Sequence, residues 1–221
     1  MNSIEENLKH IQKTLPEGVT LVAVSKTKPI SDLMEAYEAG QRVFGENKIQ
    51  EMTQKWEELP KDISWHMIGH VQTNKVKYMA PYVDTIHAVD SLKLLKEINK
   101  QALKNNRNIN CFLQVKIAKE ESKFGLSEAD VIALLKSDDI KPLTNVNIKG
   151  LMGMATFTDN KEQIINEFKK IQSLFNDLTT DNPTFKTLSI GMSGDYRLAI
   201  DCGSTMVRIG SSIFGARNYS H

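Results

Sequence analysis

Lys26 is the residue whose type and position most favour covalent chemistry. It directly follows the apolar run LVAVS, residues 21–25, so its side chain would lie in apolar surroundings at the end of a strand. Such surroundings disfavour the ammonium form, and the neutral amine is the form that attacks an aldehyde to give a Schiff base. A lysine here can instead extend to solvent or pair with a carboxylate, and position alone favours that second interpretation.

Two segments rich in serine and glycine are suited to binding a phosphate group. Residues 191–195 (GMSGD) follow one predicted strand, and residues 210–212 (GSS) follow the next. The Ser193 hydroxyl and the amides of a helix start can bind an anion, and Gly210 lets backbone N–H groups approach closely. The alternative is that Ser193 and Asp195 cap a helix and that Gly210 makes a turn. Parallel barrels often bind phosphate after their seventh and eighth strands, which favours the phosphate interpretation.

Arg208 connects these phosphate segments to one cofactor. It lies two residues before Gly210, so its guanidinium would lie near the ring of a ligand whose phosphate is held there. Arginine keeps its proton at any useful pH. If Arg208 faces the pyridine nitrogen of pyridoxal 5′-phosphate (PLP), it keeps that nitrogen unprotonated and makes the ring a weaker electron sink. The alternative is a surface ion pair, for which Asp201 is a candidate.

Five further residues are weaker candidates. Asn47 could hydrogen-bond the ring hydroxyl of such a cofactor or cap its own helix, and Glu46 could pair with a lysine. Met154 fills barrel space in this interpretation and could also touch the cofactor ring. His66 and His70 are four residues apart, but HMIGH straddles a strand end, so the two do not share a helix face as a zinc pair would.

The elements that must position these residues alternate along the whole chain. An opening helix is predicted from the spacing of Ile4, Leu8, Ile11 and Leu15. Eight strand-like segments follow with helices between them: 19–25, 42–46, 64–69, 85–89, 110–118, 148–155, 187–191 and 205–210. This pattern predicts a single (β/α)₈ TIM barrel with an extra N-terminal helix, one domain over residues 1–221. The alternative is an open doubly wound sheet, but no G-x-G-x-x-G follows the first strand.

Composition excludes several classes of protein. The 28 basic and 27 acidic residues give a net charge of +1. This balance does not indicate a basic surface that would bind nucleic acid or an anionic membrane. No apolar run approaches the roughly 18 residues that span a bilayer. We do not expect the polar start MNSIEENLKH to act as a signal peptide. Cys111 and Cys202 lack metal-ligand spacing and are expected to be reduced thiols of a cytoplasmic protein.

Eight strings of this sequence, in order, resemble the PLP homeostasis proteins, also called the YggS-like or proline synthetase co-transcribed group. They are LVAVSKTKP, FGENKIQE, WHMIGHVQTNK, HAVDS, ESKFG, GLMGMA, LSIGMSGDYRLAI and RIGSSIFGAR. They cover the chain from about residue 20 to residue 217, and eight ordered strings are far more specific than one motif. The resemblance implies a fold similar to the N-terminal barrel domain of alanine racemase.

The same resemblance implies roles for the candidate residues. PLP would form a Schiff base with Lys26, and Arg208 would face the pyridine nitrogen. Ser193, Gly210 and Ser211 would hold the phosphate, with Ser211 standing where the family usually has threonine. Asn47 matches a family residue near the ring.

Two hypotheses about function follow. The first is a carrier that stores PLP and passes it to apo-enzymes, and the second is an amino-acid racemase of low activity. A racemase of the similar fold needs a second base, a tyrosine from another domain, and no such domain is expected after the barrel. Tyr196 and His66 are the remaining candidates for that base. We therefore expect a non-catalytic, monomeric carrier. A third alternative, an aldolase that uses Lys26 without PLP, fits the eight strings poorly.

Overall fold

Eight parallel strands form a closed barrel in which each strand pairs with the next and β8 pairs with β1. The computed structural model describes residues 3–119 and 124–216. The strands are Thr20–Val24 (β1), Val43–Glu46 (β2), Ser64–Met67 (β3), Thr85–Val89 (β4), Ile109–Gln114 (β5), Val146–Met152 (β6), Thr187–Met192 (β7) and Met206–Ile209 (β8). The predicted barrel class is confirmed.

Helices follow the strands and cover the outside of the barrel. They are Ile4–Thr14 (α1), Ile30–Glu38 (α2), Ile49–Glu58 (α3), Val76–Met79 (α4), Leu92–Lys104 (α5), Glu128–Lys136 (α6), Lys161–Asp181 (α7), Tyr196–Asp201 (α8) and Ser211–Phe214 (α9). The predicted opening helix is α1, with Leu8 and Ile11 buried. Short 3₁₀ turns are formed by Thr73–Lys75 and Asp138–Ile140. None of the helices described here has the length and apolar character that would take it across a bilayer.

Alternation along the strands separates an inner from an outer core. In β1, Val22 packs inside with Phe112, Met152 and Met206, whereas its neighbours Leu21 and Ala23 face the helices. This alternation, continued past the strand, places Lys26 on the inner side at the carboxyl end of the barrel. The prediction of one domain over residues 1–221 stays a prediction, since 1–2, 120–123 and 217–221 lie outside the described residues.

The helices α6 and α2 begin in different ways. Ser127 caps α6 in a capping box, accepting a hydrogen bond from the Asp130 amide at 3.1 Å. The helix α2 begins at Ile30, with Pro29 before it, so Ser31 lies inside the helix and does not cap it. Proline fixes φ near the value required there and has no N–H to leave unpaired, so it suits the position just outside the helix.

These two serines provide a matched stability test. Ser127→Ala should lower the free energy of unfolding by about 1 kcal/mol, because it removes a cap from α6. Ser31→Ala should change it by less than about 0.5 kcal/mol, because Ser31 lies inside α2. Urea denaturation of both variants measures the difference, and equal effects would contradict the assignment of the helix starts.

Candidate functional site at the barrel mouth

Seven of the residues selected from the sequence lie on or just after the carboxyl ends of barrel strands. Their positions are after β1 (Lys26), after β2 (Asn47), after β6 (Met154), after β7 (Ser193), within β8 (Arg208) and after β8 (Gly210 and Ser211). Carboxyl ends of parallel barrel strands meet at one face, where sites of such barrels form. The topology therefore brings the seven residues to one mouth.

The turn that carries Lys26 is held on both sides. Before it, the buried Ser25 extends the β1 ladder, its amide donating to the Gly45 carbonyl at 3.0 Å. After it, Thr27 has a φ of 63° and its amide donates to the Glu51 carboxylate at 2.5 Å. The left-handed φ is costly for a β-branched residue, so the turn depends on its neighbours. Lys26 itself is half-buried between these two anchors.

A buried ion pair lies beside this turn and contacts the residue that precedes Lys26. The Lys55 ammonium on α3 donates to Glu46 Oε1, Glu51 Oε1 and the Ser25 carbonyl, each at 2.7 Å. The Ser25 hydroxyl donates to the same Glu46 oxygen at 2.6 Å. Burial raises the pKa of Glu46, and the charge of Lys55 opposes this. The sequence predicted a lysine partner for Glu46 but not which lysine; Lys55 follows the buried Met52 on one helix face.

The segment after β7 is shaped by a glycine. Gly191 has a φ of 96°, and a Cβ there would lie 2.6 Å from the Cβ of Ala199 in α8. Only glycine lets α8 pack this close to the strand. The Asp195 side chain accepts from the Met192 amide at 2.6 Å, and α8 begins without a side-chain cap. The alternative that Ser193 and Asp195 cap α8 is therefore not the arrangement adopted.

Ser193, which follows β7, contacts Gly210, which follows the neighbouring strand β8. The Gly210 amide donates to the Ser193 hydroxyl at 3.2 Å, which joins the two predicted phosphate segments. A Cβ on Gly210 would lie 3.0 Å from the Val24 carbonyl oxygen, so the residue sits tightly against β1. The next residues begin α9, whose first amides have no acceptor within the helix. Such amides can bind an anion.

Arg208 lies inside the barrel below this cradle and makes no surface ion pair with Asp201. Its side chain is 4% exposed. Nη1 donates to the Ser189 hydroxyl at 2.6 Å and to the Ser189 carbonyl at 2.8 Å, and Nη2 donates to the Gly153 carbonyl at 2.9 Å. Burial lowers the pKa of Arg208 to about 10, opposed by Asp195, so the guanidinium stays charged at neutral pH.

The remaining candidates take different places. Met154 is half-buried and packs against the inner core. Asn47 lines an open groove of about 580 Å³ beside α3, and α3 has no side-chain cap, so Asn47 does not cap it. The Tyr196 hydroxyl lies 3.1 Å from the Thr14 hydroxyl of α1, on the outside of the barrel. His66 is buried in the barrel interior, 2.9 Å from His87 through its Nδ1.

Comparison with known proteins identifies the class. Residues 1–218 match the family described as alanine racemase, N-terminal domain. The alanine racemase of Clostridium difficile 630 has the same fold, with a TM-score of 0.76 at 14% identity, over 99% of this chain and 57% of that one. PipY of Synechococcus elongatus PCC7942, solved with PLP bound, has a TM-score of 0.88 at 36% identity, covering 96% of this chain and 100% of that chain.

Two relatives that match over their full length identify the family within this class. The pyridoxal phosphate homeostasis protein of Vibrio alginolyticus is 40% identical over 100% of both chains. The protein of that name from Escherichia coli K12 is 37% identical over 100% of this chain and 99% of its own. The chain belongs to the family of pyridoxal phosphate homeostasis proteins.

The Glu46–Lys55 pair is testable by a double-mutant cycle. Lys55→Met should lower the free energy of unfolding by about 3–5 kcal/mol, because it leaves Glu46 buried without its partner. The double variant Glu46→Leu with Lys55→Met should recover most of that loss, because no buried charge remains. Urea unfolding of the four proteins measures the coupling. Additive losses in the double variant would mean that the pair is not the unit described.

Proposed function

We propose that this protein binds PLP as a Schiff base on Lys26 and acts in PLP homeostasis as a carrier rather than a catalyst. The main support for this proposal is the pairing of β1 with β8, which brings the segments that follow the two strands side by side. An amine follows β1, and a cradle of amides and hydroxyls follows its neighbour β8. An amine for an aldehyde and a cradle for a phosphate are the two ends of PLP. The relative PipY, whose structure contains PLP, supports this.

The residues present fit this cofactor. Lys26 would hold the aldehyde carbon, and the segments that contain Ser193, Gly210 and Ser211 would hold the phosphate through the Ser193 hydroxyl and the first amides of α9. Asn47 and Met154 would line the ring, and their half-buried positions at the mouth suit that role. When bound, PLP supplies a reactive aldehyde and a ring that can accept electrons.

Arg208 disfavours catalysis that needs a strong electron sink. Its guanidinium keeps its proton at neutral pH and has no lone pair to offer, so it can only donate to the ring nitrogen. A pyridine nitrogen that accepts such a hydrogen bond stays unprotonated, which leaves the ring a weaker sink. This property suits storage of PLP better than proton removal from an amino acid.

The racemase alternative also lacks support from the two candidate bases. Racemisation needs a second base on the face of the substrate opposite the lysine. Tyr196 points its hydroxyl at Thr14 outside the barrel, and His66 is buried against His87. Neither candidate reaches the mouth.

We further infer that the carrier works in the cytoplasm as a monomer and hands PLP to apo-enzymes. Cys111 and Cys202 are both free and buried, and burial raises the pKa of each thiol, which fits a reducing compartment. Exposed large apolar side chains are spread over separate elements of the described chain, which favours a monomer. They are Tyr78, Leu103, Phe124, Ile132 and Phe157.

Lys26→Ala tests the anchor. The variant should fold normally but show no Schiff-base absorption when PLP is added, because the only amine proposed to react is gone. Lys77→Ala removes an exposed lysine of α4 and should bind PLP as the unmodified protein does. Absorption titrations of the three proteins provide the measurement. An undiminished Schiff-base band in Lys26→Ala would refute the anchor.

Ser193→Ala tests the phosphate cradle. Loss of one hydrogen bond to a charged group should weaken PLP binding by about tenfold or more. Binding of pyridoxal, which has no phosphate, should change little. Spectroscopic titration with both ligands gives the two ratios, and Ser31→Ala serves as the control serine. Equal weakening for both ligands would place Ser193 away from the phosphate.

A further inference from the structure

A continuous row of polar side chains crosses the barrel interior beneath Arg208. Arg208 Nη1 is 2.6 Å from Ser189 Oγ, which is 3.1 Å from Nδ1 of His87. Nε2 of His87 is 2.9 Å from Nδ1 of His66, and Nε2 of His66 is 3.7 Å from the Asp84 carboxylate. Each histidine uses one ring nitrogen for the link before it and the other for the link after it, and Ser189 uses its one hydroxyl oxygen for both of its links. The row therefore connects Arg208 to a carboxylate through three other side chains.

This row is closed to solvent except at its far end. The exposed fractions are 0% for Ser189 and His87 and 4% for His66 and Arg208. Asp84 is about half exposed and directly precedes β4, at the amino-terminal end of the barrel. The row thus runs from the level of the proposed cofactor ring to the opposite opening. Burying this many polar groups is costly unless each is satisfied.

The chemistry of the two ends fixes the direction of the three hydrogen bonds between Arg208 and His66, while His66 and Asp84 are in electrostatic contact at 3.7 Å. A guanidinium only donates, so Ser189 Oγ accepts from Arg208, and its own O–H is then available to donate a hydrogen bond to His87 Nδ1. His87 then carries its proton on Nε2 and donates to His66 Nδ1. His66 in turn carries its proton on Nε2, facing Asp84. The reverse set of tautomers would point an imidazole lone pair at the Asp84 carboxylate, which is repulsive.

Both histidines are neutral in this arrangement. Burial lowers the pKa of His87 well below its ordinary value, and the charge of Arg208, together with the charge that His66 would carry when protonated, lowers it further. Burial lowers the pKa of His66 to about 4, opposed by Asp84. The other charged groups near the ends are Asp195, which faces Arg208, and Arg107, which faces Asp84. A proton added to His87 would place a second cation next to Arg208.

We propose that His87 is a positioning residue for the site: through Ser189 it holds the Arg208 guanidinium in place, and His66 and Asp84 hold His87 in the Nε2–H tautomer. Arg208 Nη1 donates to the hydroxyl and to the carbonyl of Ser189, and Nη2 donates to the Gly153 carbonyl, so the rotamer of Ser189 sets one of the three contacts that orient the guanidinium. His87 sets that rotamer because its Nδ1 accepts the hydrogen bond that the Ser189 hydroxyl donates. The effect at the cofactor rests on the proposed function, whereas the tautomers do not.

The first experiment needs no cofactor. Long-range ¹H–¹⁵N NMR spectra of protein labelled on its histidines distinguish the two neutral tautomers and the imidazolium. We expect His66 and His87 both as Nε2–H tautomers at pH 7, and both still neutral at a pH of about 5. An Nδ1–H tautomer at His87, or an imidazolium at pH 7, would overturn the proposed direction of the row.

The second experiment measures the affinity for PLP and the absorption spectrum of the bound PLP. In the PLP-loaded protein, His87→Phe should weaken PLP binding about tenfold and alter the absorption spectrum in the way that Arg208→Lys does. His87→Gln can still accept from Ser189 and donate to His66, so it should restore much of both. His10→Phe, an exposed histidine of α1, should change neither.

The outcomes separate the two proposals. If the unmodified protein fails to bind PLP, the proposed function fails, and the NMR tautomers still decide the row. If it binds PLP and the folded His87→Phe keeps both its affinity and its spectrum, the positioning role is wrong. Should His87→Phe fail to fold, the comparison of His87→Gln with the unmodified protein decides, and a Gln spectrum that matches Arg208→Lys would also contradict the role.

Discussion

Pairing of β1 with β8 is the contact on which the site depends. Its register sets Val22 opposite Arg208 and Ala23 opposite Ile209, so the segments that follow both strands leave the barrel side by side. Lys26 and Gly210 thereby come to the same part of the mouth although they are far apart in sequence. In an open sheet β1 and β8 would not pair in this way, and the amine would not share a site with the phosphate cradle.

Polar networks support this seam from both sides of the strands. Outside the barrel, the Lys55 ammonium binds Glu46 and the Ser25 carbonyl, which holds the residue before Lys26. Inside the barrel, Ser189 holds the Arg208 guanidinium. Buried charges often contribute little net stability compared with apolar side chains of the same size. Their value here is positional, because each network fixes a group that would face the cofactor.

The eight strands and the residues at their carboxyl ends could be predicted from the sequence because both depend on short local patterns of apolar residues. Apolar runs and alternation located all eight strands, and a residue directly after a strand, such as Lys26 or Ser193, must lie at the mouth once the barrel closes. The row through His87 was missed, since it depends on the stagger between distant strands. The two histidines within apolar strand segments were the available signal. Lys55 and the short helix α9 also depend on packing that no local pattern reveals.

Reduction with borohydride followed by peptide mapping locates the lysine that forms the Schiff base with PLP. PLP is added, the Schiff base is reduced to a stable amine, and the protein is digested and analysed by mass spectrometry. The account predicts one dominant pyridoxyl phosphate adduct, on the peptide that contains Lys26. An adduct spread over several surface lysines, or its absence from Lys26, would contradict the proposed site.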